Sequence, residues 1–139
     1  MYKKILLAAD GSEHSVRAAN HAITMANCNR ESKIEIVYVV DGDSSKSDVL
    51  SNWNSADVND KRKERLKEIE TKARNQGVDF EIKILHGEPG PAVVDYTNKN
   101  QFDVVVIGSR GLNSLQELML GSVSHKVAKR ATCPVLIVK

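Results

Sequence analysis

Two glycine-centred segments in this chain have the makings of an anion cradle: Gly108-Ser109-Arg110-Gly111 and Gly121-Ser122-Val123-Ser124. A glycine lets the backbone turn tightly and approach a ligand closely, so neighbouring N–H groups can gather around negative charge. Gly121 stands where a helix opens. Either Ser122 or Ser124 can cap that helix, and its first free N–H groups favour phosphate. Arg110 adds a positive charge. Asp10-Gly11-Ser12 supplies a carboxylate from the other end of the chain. Each motif alone has a plainer use, a strand-to-helix turn or a simple cap. Together, with Asp10 nearby, they favour a phosphate-bearing ligand.

The same residues do not assemble an obvious catalytic set. Phosphoryl transfer to water needs a positioned nucleophile, charge neutralisation and usually a metal. Asp10 has no evident second acidic residue beside it, and there is no lysine-bearing phosphate-loop motif. Of the four histidines, His14 and His21 read as solvated positions on the first helix. His86 ends a strand away from the glycine segments. His125 lies one turn into the last helix, near the phosphate-favouring end, and reads as a surface residue. No nucleophile–histidine–acid arrangement follows from local spacing.

Positioning these segments requires strands that end beside them. Short runs rich in β-branched residues occur at Ile5–Ala9, Ile34–Val40, Phe80–Leu85, Val104–Ile107 and Val135–Val138. The first and the last two are continuously apolar, as in strands covered on both faces, whereas the third alternates like a strand nearer an edge. Between them lie helical stripes. Val16, Ala19, Ile23 and Ala26 follow a cap at Ser12. Leu66, Ile69 and Ala73 lie in a charged segment with the pairs Glu68–Lys72 and Glu70–Arg74, ended at Gly77. Pro89 and Pro91 open a third helix through about Lys99. Val123, Val127 and Ala131 mark a fourth, stopped before Pro134.

Strict alternation of strand and helix predicts one open, Rossmann-like α/β domain over residues 1–139, with five parallel strands and helices on both faces. In such a sheet, ligands bind beyond the carboxyl ends of the strands, where the winding reverses. Strand order 3-2-1-4-5 makes the first and fourth strands neighbours. Asp10 and the Gly108 segment then meet at one crevice. Residues 41–57, between the second strand and second helix, are polar and hold the lone Trp53. They are too long for an ordinary connection and read as either a mobile segment or a functional excursion.

Size and charge narrow the function classes. A chain of 139 residues can bury its own core without staples. A formal net charge of +2, with both signs interspersed, gives no basic stripe for nucleic acid. No stretch approaches the roughly 18 apolar residues of a membrane span, and the run after Lys4 ends in a turn instead of a leader cleavage site. Cys28 and Cys133 have no metal-like spacing and read as free thiols in a reducing cytoplasm.

The spaced pattern Gly108-x2-Gly111-x9-Gly121-Ser122 resembles the nucleotide-binding signature of the ATP-binding branch of the universal stress protein family. The resemblance extends to Lys4–Ser12, the Gly87-Glu88-Pro89 turn and Cys133–Val138, and so to nearly the whole chain. It implies ATP held with Mg2+ or Mn2+. Ala9 and Asp10 would lie near the ribose and phosphates, Asp10 reaching a metal ion through water. Val39 would offer backbone groups to the adenine, and Gly108, Arg110 and Gly111 would flank the ribose and phosphates. Gly121, Ser122, Val123 and Ser124 would hold the phosphates with amides and hydroxyls. Some relatives carry Pro and Thr before the aspartate; Ala8 and Ala9 here remove one hydroxyl contact. The family pairs its last strand across a two-fold axis, which implies a homodimer through Val135, Leu136, Ile137 and Val138. An apolar edge strand needs such cover in any case.

The expectation is a cytoplasmic, homodimeric, nucleotide-binding stress regulator or chaperone-like factor with at most slow ATP hydrolysis. Two alternatives stay open: an adenylating enzyme of the adenine-nucleotide α-hydrolase type, and a nucleotide-free dimeric interaction module. The adenylating enzymes carry a Ser- and Gly-rich loop after the first strand, which Asp10-Gly11-Ser12-Glu13 matches poorly. A phosphoacceptor receiver domain would need an aspartate at the end of the third strand, where this chain has Leu85-His86-Gly87.

Overall fold

A computed structural model describes residues 2–40, 60–110 and 120–139. The 41–57 segment with Trp53, and Gly111, lie outside the described residues. The elements run β1 (Lys4–Ala8), α1 (Glu13–Asn27), β2 (Lys33–Val40), α2 (Asp60–Asn75), β3 (Asp79–His86), α3 (Pro89–Asn100), β4 (Val104–Gly108), α4 (Ser122–Arg130) and β5 (Val135–Val138). All strand pairs are parallel, and the order is β3-β2-β1-β4-β5. The expected fold and strand order are therefore present.

Residue alternation along the strands divides the core in two. Ile5 and Leu7 of β1, Ile34, Ile36 and Tyr38 of β2, and Val104 and Val106 of β4 face α1 and α2. Leu6, Val37, Val105 and Ile107 face the other way, onto Val93 and Val94 of α3 and Val127 of α4. β4, and β1 from Ile5 on, are apolar because both of their faces are covered. Leu6 and Val105 are fully buried at the centre.

β5 lies at the sheet edge, where the expected order places it, but its equally apolar run is not covered on both faces: Leu136 is 37% exposed. β3 forms the opposite edge and protects it with charge: Glu81 bridges Lys33 at 3.1 Å and Lys83 at 2.8 Å.

Helix ends mostly follow their sequence signals. Ser12 caps α1, its Oγ accepting the Ser15 N–H at 3.2 Å. Gly77 adopts φ +68° just past α2, a conformation that glycine takes without strain. The Glu68–Lys72 pair forms at 3.2 Å. The Arg74 guanidinium instead lies over the Phe80 ring, 5.8 Å from its centre. α4 differs most. Its N-cap is Gly121, without any side-chain cap, and Ala131 is its C-cap instead of a helical residue. Neither Ser122 nor Ser124 caps it, because the helix begins at Ser122 itself.

Candidate functional site

β1 and β4 end side by side, with Ala8 opposite Ile107. The strand order turns around here. The chain winds from β1 outward through β2 to β3, then returns to β4 on the other side. That reversal opens a crevice beyond the carboxyl ends.

Ala9 still belongs to the sheet: it is buried, and its N–H donates to the Val37 carbonyl at 3.0 Å. Asp10 follows as the first residue clear of the strand. Its Oδ1 accepts the Ser12 N–H at 2.9 Å, closing a tight turn around Gly11, which has φ +81°. Arg65 of α2 reaches across to this turn, Nη1 donating to the Gly11 carbonyl at 3.3 Å and Nη2 to Glu13 Oε1 at 3.4 Å. The carboxylate is thereby carried on a turn held from both ends.

β2 overruns β1. The last register pair between them is Ala8 with Val37, so Tyr38, Val39 and Val40 extend past the end of β1. Val39 sits half-buried at this projecting edge, paired on its far side with Leu85.

Gly108 ends β4, and the structure corrects the reason for a glycine there. Its φ is not in the left-handed region. What approaches closely is α1. A Cβ on Gly108 would lie 2.7 Å from His14 Cβ and 2.9 Å from the His14 backbone carbon. The glycine lets the first turn of α1 press onto the end of β4, which draws His14 to the crevice. His14 is therefore half-buried against β4, not simply solvated as the sequence suggested. His21, His86 and His125 are exposed.

Ser109 joins the elements around the crevice. Its N–H donates to the Val138 carbonyl at 2.7 Å, and its own carbonyl accepts the Gly121 N–H at 2.7 Å and Ser124 Oγ at 2.9 Å. Ser124 Oγ is also 3.0 Å from the Gly121 carbonyl. The buried Ser124 hydroxyl thus directs its hydrogen at carbonyls within the fold. Ser122 is exposed, and Val123 packs against the α3–α4 side of the core. The first intrahelical bond of α4 runs from the His125 N–H to the Gly121 carbonyl at 2.9 Å. The preceding amides form the positive end of the helix. Ser109 was visible in the motif, but its anchoring role depends on contacts 12 to 29 residues away in the chain.

Arg110 comes next and acts electrostatically on His14, as does Asp10 with the opposite sign. The two segments expected to converge are adjacent, since the strands they follow are paired, and His14 packs against Gly108 beside them. Partial burial is the main cause that lowers the His14 pKa below its ordinary value; Arg17 and Arg110 lower it further, against Asp10 and Glu13. Among the described residues, no group of three or more His, Cys, Asp or Glu could hold a metal ion. A single carboxylate suits a hard cation that keeps its waters and shares a phosphate ligand, as Mg2+ does. Asp10 is of that type and would reach such an ion through water.

The arrangement offers a carboxylate, a guanidinium, a projecting backbone edge and a helix N-terminus around one opening. Comparison with known proteins identifies the family. The model of the universal stress protein family matches residues 1–139. This chain belongs to the universal stress protein family. Universal stress protein YxiE of Bacillus subtilis is 36% identical over 149 residues, covering 100% of both chains. A universal stress protein of Methanocaldococcus jannaschii is 34% identical over 142 residues, covering 100% of this chain and 83% of its own. Among solved structures, a universal stress protein in complex with cAMP superposes with a TM-score of 0.76 at 28% identity, over 99% of this chain and 97% of that one.

Proposed function

We propose that this universal stress protein binds an adenine nucleotide, ATP with Mg2+ or Mn2+ in the first instance, in the crevice beyond β1 and β4. It works as a homodimeric stress-response regulator or chaperone-like factor in the cytoplasm. The observation that carries the reading is the convergence of Asp10 and Arg110 at the switch point, beside an α4 N-terminus that begins at a glycine. The similar structure solved with cAMP supports an adenine ligand. In this reading Ala9 and Asp10 lie along the ribose and phosphates, with Asp10 reaching the metal through water. Val39 meets the adenine through its backbone, and Gly108, Arg110 and Gly111 flank the ribose. Gly121, Ser122, Val123 and Ser124 face the phosphates, mainly with amides.

The chemistry available favours binding over turnover. A helix N-terminus and one arginine stabilise phosphate charge, which serves binding directly. Slow hydrolysis remains within this reading; rapid catalysis does not. Dimerisation through β5 accounts for its apolar edge, since Val135, Ile137 and Leu136 are only half covered. Among the described residues, no helix is long and apolar enough to cross a membrane.

The test is mass spectrometry of small molecules released when freshly purified protein is denatured. Near-stoichiometric adenine nucleotide is the expected result. No released nucleotide, followed by no binding of ATP with magnesium, would leave a dimeric interaction module as the better reading.

A further inference from the structure

Among the described residues, His14 is the crevice side chain that can change its charge near neutral pH, and the contacts around it disfavour its cation in the free protein. It is the second residue of α1, pressed onto Gly108 at the carboxyl end of β4. One turn later, Arg17 places Nη2 3.0 Å from His14 Nδ1 and 3.4 Å from Nε2. A nitrogen that close to both ring nitrogens lies over the ring face, so the guanidinium sets its positive charge against the imidazole and disfavours the imidazolium. The charged groups that face the ring are Arg17 and Glu13 from α1, Asp10 from the β1–α1 turn, and Arg110 after β4.

We propose that His14 is a binding residue of the nucleotide crevice that takes up a proton as the phosphates enter, so that adenine-nucleotide affinity rises as the pH falls through neutrality. This rests on the nucleotide reading above. In the free protein, partial burial and two guanidiniums disfavour the imidazolium. A phosphate chain lying between Asp10 and Arg110 adds negative charge beside the ring. It offsets the guanidiniums and favours the cation. The step moves one proton from solvent to a ring lone pair and breaks no other bond. Arg17 keeps its own anchor, with Nε donating to the Lys139 carbonyl at 3.1 Å.

The direction follows from linkage. The ring titrates below its ordinary 6.5 when free and higher when the phosphates are bound. Between those two points the complex holds more protons, so acid favours binding, by at most about tenfold per pH unit. Above the bound value the dependence vanishes.

The direct measurement is an NMR titration of the histidine rings with and without saturating ATP and magnesium, the His14 signal being assigned by its loss in His14→Gln. The expected result is a midpoint raised by about one pH unit or more in the complex. Affinity in the parent, divided by that in His14→Gln, should then be greater at pH 6 than at pH 8; the titration of ATP itself cancels in this ratio. Arg17→Gln should raise the free midpoint and narrow the gap. A midpoint that stays in place while ATP binds would overturn the role of His14 and leave the crevice reading standing. Failure of ATP to bind either protein would overturn both.

Discussion

At Gly108 the nearest neighbour is a helix backbone, and this makes the position testable apart from any ligand. A methyl group there would meet the His14 backbone carbon at 2.9 Å and its carbonyl oxygen at 3.0 Å. Backbone atoms of a packed helix do not give way cheaply. Gly108→Ala should cost about 1–3 kcal/mol by overpacking, read from chemical denaturation. The glycine spacing was legible as a motif, whereas its reason was not, because a pattern along the chain does not reveal which distant element closes on it. Tyr96 and Glu35 were overlooked for the same reason. They lie 61 residues apart, and the Tyr96 hydroxyl donates to the buried Glu35 carboxylate. Tyr96→Phe strips that carboxylate of its donor and should cost about 1–3 kcal/mol. Burial, then the Glu35 contact, pushes the phenol well above its ordinary value of 10.0. A raised native value stabilises the fold below pH 10 and loses that contribution as the pH rises further. The parent should thus lose stability above about pH 10 more steeply than Tyr96→Phe, in denaturation followed across pH.

Among the elements, α4 and β5 are tied to each other through the backbone of Ser109. The Ser109 carbonyl receives Gly121 and Ser124, and its N–H holds Val138. Ser124→Ala removes one of those donors and should cost about 0.5–1.5 kcal/mol. It should also weaken ATP binding by loosening the N-terminus of α4, a loss visible by calorimetry. The order of strands and helices was readable because each strand is a short β-branched run and each helix a stripe at its own period. Helix α4 was harder: Ser122 and Ser124 are good capping types, yet Gly121 occupies the cap. β5 was expected at the edge and lies there, but its continuous apolar run looks like β4 and read as covered on both faces. β4 is covered by elements on both faces, whereas β5 is at an edge where Leu136 meets solvent. Apolarity reports that something must cover a strand, without saying whether it is the same chain.

For the whole molecule, that exposed edge predicts association. Leu136→Glu places a charge in the centre of β5 and should convert a dimer to a monomer in sedimentation, with little change in the helical signal. A parent that already sediments as a monomer would contradict the dimer. The crevice and the dimer edge share components, since Ser109 and Arg17 bond to the last two residues, Val138 and Lys139. The central claim, however, concerns the ligand. Its most direct test is a calorimetric titration of ATP and magnesium into the parent and Gly121→Val. Gly121 has φ −65° and ψ 161°, a conformation open to valine, and its N–H bond to Ser109 survives the change. The account predicts saturable, near-stoichiometric binding to the parent and its loss in a variant that melts like the parent. Equal binding to both proteins, or none to the parent, would contradict it.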